Sequence, residues 1–92
     1  IGDKLLEYCS APEDKVSFGA AYCLGYVEAA ASASRCPKNI GGFSWEPPTG
    51  VTLDQMRRVI VKYLNANPEN LHYGGLGLVA ASLAEVWPCT KQ

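Results

Sequence analysis

Between Val51 and Cys89 the apolar positions of this chain fall into two helical patterns. Leu53, Met56, Val59, Ile60, Tyr63 and Leu64 recur at helical spacing, with Asp54, Arg57, Arg58, Lys62 and Asn65 on the other side. That periodicity predicts an amphipathic helix. Thr52 with Gln55 three residues on is a capping-box pattern, which satisfies orphan backbone donors at a helix start. Pro68 ends the helix, because the residue before a proline is pushed out of the α region. Asn67 and Pro68 also suit the start of the next helix, as N-cap and first-turn residue. Glu69 adds a negative charge where the helix dipole favours one. That helix is expected to run to about Trp87, where Pro88 and Cys89 stop it.

The first half of the chain carries the same kind of pattern. Asp3 to Tyr8 reads as a short helix with Leu5 and Leu6 facing inward. Ser10 and Glu13 bracket Pro12 as a possible capping box, with the following helix expected from Val16 to about Ala33. Val16, Ala20, Cys23, Val27 and Ala30 form one stripe of it, and Phe18, Tyr22 and Tyr26 form a second, aromatic stripe. Core packing is the expected role of the aromatic stripe, and a ligand-binding face is the alternative.

From Cys36 to Gly50 no helical period is visible, and Pro37, Gly41, Gly42, Pro47, Pro48 and Gly50 punctuate the stretch. Loops this long inside a small domain are uncommon and are often functional or disordered. Phe43 and Trp45 either fold back onto the core as anchors or are presented to a partner, since aromatics are favoured interface hot spots. Glu46 beside them offers a carboxylate to a polar or basic site. In the last helix, Gly74, Gly75, Gly77, Ala80, Ala81 and Ala84 sit among Leu71, Leu78, Val79, Leu83 and Val86. Glycine costs about 1 kcal/mol relative to alanine within a helix, so close backbone approach is expected to compensate. A helix apolar nearly all round is buried on two sides. In so small a protein the second side is expected to be another copy of the chain, a homodimer.

Composition narrows the classes. The 92 residues carry eight basic and nine acidic side chains, a formal charge of −1. That balance gives no electrostatic footprint for nucleic acid or an anionic membrane. The longest uncharged run, Asn70 to Ala84, is too short and too rich in Gly and Ala to span a bilayer. A chain opening at Ile1 reads as a processed mature form. Cys9, Cys23, Cys36 and Cys89 match no zinc-ligand spacing, and His72 is the single histidine, so no metal site is expected. Two disulfides in an oxidising compartment are the better account. Three pairings are open; Cys9–Cys23 with Cys36–Cys89 is preferred, because it ties the first helix to the second and the second to the fourth. The expected fold is therefore all-α, a compact bundle of about four helices stapled by two disulfides, with residues 1–92 one domain.

Catalytic chemistry is not indicated. His72 lies in Asn70-Leu71-His72-Tyr73-Gly74-Gly75, with no nucleophile elbow or phosphate loop nearby. Only Glu13 and Asp14 are adjacent carboxylates, and no catalytic pair can be nominated. Arg57, Arg58 and Lys62 make a small basic patch that reads as a solvated face, or as a surface for an acidic partner. No enzyme activity and no cofactor are expected.

Several segments in order carry a resemblance: Cys23-Leu24-Gly25-Tyr26-Val27, Cys36-Pro37, Gly50-Val51-Thr52-Leu53-Asp54-Gln55, Val61-Lys62-Tyr63-Leu64 with Asn67-Pro68, and Ala81 through Trp87-Pro88-Cys89. The chain resembles the Rap/Tai immunity proteins of bacterial type VI secretion over nearly its whole length. The resemblance implies a small helical periplasmic protein, exported from a precursor with a signal peptide, disulfide-bonded and homodimeric. It also implies that the protein neutralises a peptidoglycan amidase effector by occluding a papain-like Cys/His cleft, giving self-resistance. One departure is the link from Lys38 to Gly50, longer than the pattern leads one to expect. That loop and the turn Asn67 to Tyr73 are the candidate contact segments. The candidate partner-binding residues are Phe43, Trp45, Glu46 and Pro47 from the loop, and Asn70, His72 and Tyr73 from the turn. Trp45 is expected to insert into the effector cleft or lie across it, as a hot spot worth more than ~2 kcal/mol.

Two other functions compete. A small helical carrier would enclose a lipid or other apolar ligand against Phe18, Tyr22 and Tyr26. A periplasmic acid-stress chaperone would dissociate and expose apolar surface at low pH, driven by carboxylates because there is one histidine.

Overall fold

Four helices appear in the computed structural model, which describes residues 2–10 and 18–90. They are α1 (Gly2–Cys9), α2 (Phe18–Ala33), α3 (Leu53–Ala66) and α4 (Gly75–Val86), with a 3₁₀ turn at Pro68–Asn70. The expected capping box at Ser10 to Glu13, the helix start near Val16 and the Glu13–Asp14 pair fall wholly or partly outside the described residues.

α3 forms as its periodicity predicts. Met56, Ile60 and Leu64 are buried on one face, and the Thr52 hydroxyl accepts from the Gln55 N–H at 3.1 Å. On α2 the buried residues are Cys23, Val27, Ala30 and Ala31, close to the small-residue stripe read from sequence. On α1, Leu5 and Cys9 are buried and Leu6 is half-buried.

α4 starts later than expected. Asn67 does not cap it: its side-chain amide donates backward to Tyr63 O at 2.9 Å, closing α3 instead. Asn67 and Pro68 then lead only into the 3₁₀ turn, and Gly74 in extended conformation precedes α4. Tertiary contacts decide this. The Gly2 N–H donates to Leu71 O at 2.9 Å, pinning the turn onto the start of α1. A Cβ on Gly75 would run into the Tyr26 hydroxyl and ring, so the first turn of α4 sits directly against α2. Of the three glycines, Gly75 makes the close approach, within one chain, while a Cβ on Gly74 or Gly77 would meet nothing within 4 Å.

The same packing answers the burial of α4. Gly75 and every residue from Leu78 to Leu83 are buried, and α1, α2 and α3 all pack against this helix. Most of its apolar surface is covered by its own chain, with Leu76 and Val86 left half-exposed on the outer side.

The preferred pairing is the one present. Cys9–Cys23 ties α1 to α2, and Cys36–Cys89 ties the segment after α2 to the segment after α4. Arg57, expected on a solvated face, works inside the structure: it donates to Cys9 O at 2.8 Å and to Asp54 at 3.0 Å. Arg58 donates to the same carboxylate at 2.9 Å. Asp54 is consequently held below the ordinary carboxylate value, first by the hydrogen bond from Arg57.

Candidate partner-binding surface

The loop after α2 is built by its own hydrogen bonds. Ile40 and Phe43 exchange two backbone bonds, each 3.0 Å, around Gly41 and Gly42. Both glycines have positive φ, 61° and 90°. A two-residue hairpin turn of this hand requires that conformation, which glycine adopts without steric cost. Asn39 Oδ1 accepts from the Gly42 N–H at 3.1 Å, and the Ser44 hydroxyl donates to Lys38 O at 2.6 Å. The result is a small, internally hydrogen-bonded hairpin where the sequence shows only an aperiodic linker.

Trp45 seats this hairpin. It is 2% exposed, and its indole N–H donates to Ala31 O at 2.8 Å. Its backbone N–H donates to Ser34 O at 3.1 Å, and its carbonyl accepts from Cys36 N–H at 3.0 Å. Carbonyls in the last turn of a helix lack intrahelical partners. Trp45 therefore caps α2 while its ring fills the core, 6.0 Å from the ring of Trp87. Of the two roles open to Trp45, the structure shows the anchor. Its ring is not available to lie across a partner's cleft in this conformation, which corrects that expectation.

Phe43 and Tyr73 do face outward, 45% and 54% exposed. With Asn70 they border one cleft of about 260 Å³, so the loop and the turn meet there. Its remaining walls are Tyr63 from α3 and Gly74, Gly77, Leu78 and Ala81 around α4. Gly77 forms open floor, since a Cβ placed on it meets nothing within 4 Å. His72 is exposed beside the cleft, its ring 4.2 Å from that of Tyr73.

The other candidate residues lie elsewhere. Pro47 borders a second groove of about 180 Å³, with Glu28, Arg35, Val51 and Met56 among its neighbours and Trp45 at its base. Glu46 is exposed near the chain's C-terminal segment: its N–H donates to Trp87 O at 2.9 Å, and its carboxylate accepts from the Thr90 N–H at 3.4 Å. In the sequence pattern Tyr63 and Gly77 read as core and helix-packing positions. Only the placement of the hairpin beside α4 reveals them as cleft walls.

Of the aromatic stripe of α2, Tyr26 is half-buried against the core, whereas Phe18 and Tyr22 are on the surface. Phe18 is 75% and Tyr22 42% exposed, and with Tyr8 and Tyr26 they make a ladder of ring contacts 5.0 to 6.0 Å apart. Burial first, and then the neighbouring Tyr22, pushes the Tyr26 phenol above its ordinary value. A groove of about 250 Å³ opens there, between Tyr22, Tyr26, Lys4 and Leu5.

The buried hydroxyls are committed to structure: Ser34 donates to Ala30 O at 2.9 Å and Ser82 to Leu78 O at 2.6 Å. Among the described residues no cluster of His, Cys, Asp and Glu could hold a metal ion, and no helix is long and apolar enough to cross a membrane.

A family model matches residues 1–89, the whole of the described structure but its last residue. This chain belongs to the Rap1a immunity proteins. The resemblance read from the ordered sequence segments is therefore upheld, and with it the coarse function of binding a cognate effector protein. No curated protein and no solved structure matches the chain.

Proposed function

We propose that this Rap1a protein is an exported, non-enzymatic inhibitor of a type VI-secreted peptidoglycan amidase, acting in the periplasm. The observation that carries the reading is the meeting of two ordered segments at one cleft: the hairpin with Phe43, and the turn with Asn70 and Tyr73. The hairpin enters the amidase cleft and excludes the wall peptide. The groove beside it seats an apolar side chain from the rim of that cleft, between Phe43 and Tyr73. Asn70 and His72 supply hydrogen bonds to the same rim.

Rigidity makes such a surface effective. Side chains and loops already ordered lose less entropy on binding. Here the hairpin's internal bonds, Trp45 and the Cys36–Cys89 bridge hold the loop before any partner arrives. Scale also favours a protein partner over a carried ligand. Small-molecule sites usually enclose about 300–1,000 Å³, and the three clefts described, of about 260, 250 and 180 Å³, are smaller and partly open to solvent. Two disulfides in a chain this short suit an oxidising compartment.

A homodimer, which the family resemblance implies, is best placed on the exposed ladder of Phe18 and Tyr22, because contiguous apolar patches mark interaction surfaces. Light scattering at micromolar concentration checks it: Tyr22→Ser combined with Phe18→Ser gives a monomer while the native chain gives twice that mass.

The deciding experiment mixes the purified chain with the amidase encoded beside it and follows release of peptide from peptidoglycan. Stoichiometric loss of amidase activity, relieved by Phe43→Ala with Tyr73→Ala, is the expected result. Undiminished amidase activity at saturating protein defeats the proposal.

A further inference from the structure

The two disulfides differ in exposure and in what they close. Cys9 and Cys23 are 1% and 0% exposed and lie within α1 and α2, where the two helices meet. Cys36 and Cys89 are both partly exposed and lie outside the helices, one at the root of the hairpin and one beyond the end of α4. Thiol–disulfide exchange begins when a thiolate reaches a sulfur, so access decides which bridge reacts first.

The restraints around the exposed bridge are unequal. Behind it, the hairpin keeps Trp45 in the core with its bonds to Ala31 and Ser34. The segment 87–90 has less. Trp87 is half-buried by Trp45, and its N–H donates to Leu83 O at the end of α4. Beyond that, the hydrogen bonds described for the segment run to Glu46, one backbone bond of 2.9 Å and exposed Thr90 contacts of 3.3 to 3.4 Å. Exposed contacts of that length hold little.

We propose that Cys36–Cys89 is a reducible clasp, opened by a dithiol while Cys9–Cys23 and the helical bundle persist. One thiolate of the reductant attacks a clasp sulfur, forming a mixed disulfide and expelling the other clasp sulfur as thiolate. The reductant's second thiolate then closes its own disulfide and releases the first cysteine. Two electrons and two protons have passed to Cys36 and Cys89, and the dithiol is oxidised. Opening frees the segment 87–90 and loosens the hairpin root that carries Phe43 into the cleft. The device operates whatever effector the protein binds.

Graded dithiothreitol treatment of the native chain, with iodoacetamide trapping and peptide mapping, tests it without an effector. Cys36 and Cys89 are expected to be alkylated at least tenfold faster than Cys9 and Cys23, with the helical circular dichroism retained. Amide exchange should rise only in residues 35–46 and 87–90. Simultaneous or reversed alkylation overturns the proposal, as does loss of helical signal in step with the first alkylation. The double variant Cys36→Ser with Cys89→Ser should be folded and show the same local rise in exchange. An unfolded variant, or one with native exchange in those segments, overturns it equally.

Discussion

Replacing Trp45 with alanine separates an anchor from a contact. The side chain is 2% exposed and packs by Trp87, and its indole caps the last turn of α2 through Ala31 O. Burial of a large aromatic removes about 150–250 Å² from water. At ~25 cal/mol per Å² this is about 4–6 kcal/mol as an upper bound. The indole hydrogen bond adds about 1 kcal/mol. Partial collapse of the site returns some of that, so the expected loss of stability is about 3–5 kcal/mol, the usual range for a buried aromatic cut to alanine. For a domain near this size each 1 kcal/mol moves Tm by about 4–8 °C, so Tm should fall by at least ~12 °C. Guanidinium denaturation followed by circular dichroism, with both disulfides intact, measures the loss. Trp45→Phe keeps most of the buried ring and should cost far less. Phe43→Ala is the control: half-exposed, it should change stability by under ~1 kcal/mol but weaken effector binding by ~2 kcal/mol if it is a hot spot. The reasoning is refuted if Trp45→Ala unfolds at the native midpoint while abolishing binding, for the ring would then be a contact and not an anchor.

Gly77→Ala should raise stability by about 1 kcal/mol, because alanine is the better helix former and its Cβ meets nothing. The same methyl narrows the cleft floor, so calorimetry should show weaker effector binding alongside the higher Tm. Thr52→Ala removes the hydroxyl that accepts from Gln55 and should cost about 1 kcal/mol in thermal or denaturant unfolding. Asp54 has a depressed carboxyl, so its stabilising effect is present above its unfolded value and is lost as pH falls through the lower folded one. Native protein should therefore be more stable than Asp54→Asn at neutral pH, and the two unfolding curves should converge in acid below the ordinary aspartate value of 3.8. Curves that stay parallel down to full protonation would remove that role for the Asp54 pairs.

Local signals carried α3 almost completely, because its capping threonine and its 3.6-residue apolar period lie within one short window. The buried stripe of α2 and the all-helical class were legible for the same reason, as was the cysteine framework, since four cysteines without zinc spacing favour disulfides. What local signals could not carry depended on the partner of each group. Asn67 reads equally well as the cap of either helix, and only the neighbouring Tyr63 carbonyl and the Gly2–Leu71 bond sent it backward. Trp45 has the same side chain whether anchor or hot spot, and the free carbonyls at the end of α2 decided for the anchor. Phe18 and Tyr22 fall on a helical stripe, yet the four helices close around the small-residue stripe of α2 and leave those rings in solvent. Periodicity tells which residues share a face; which face is covered, and which two distant segments border one cleft, follows from how the helices pack.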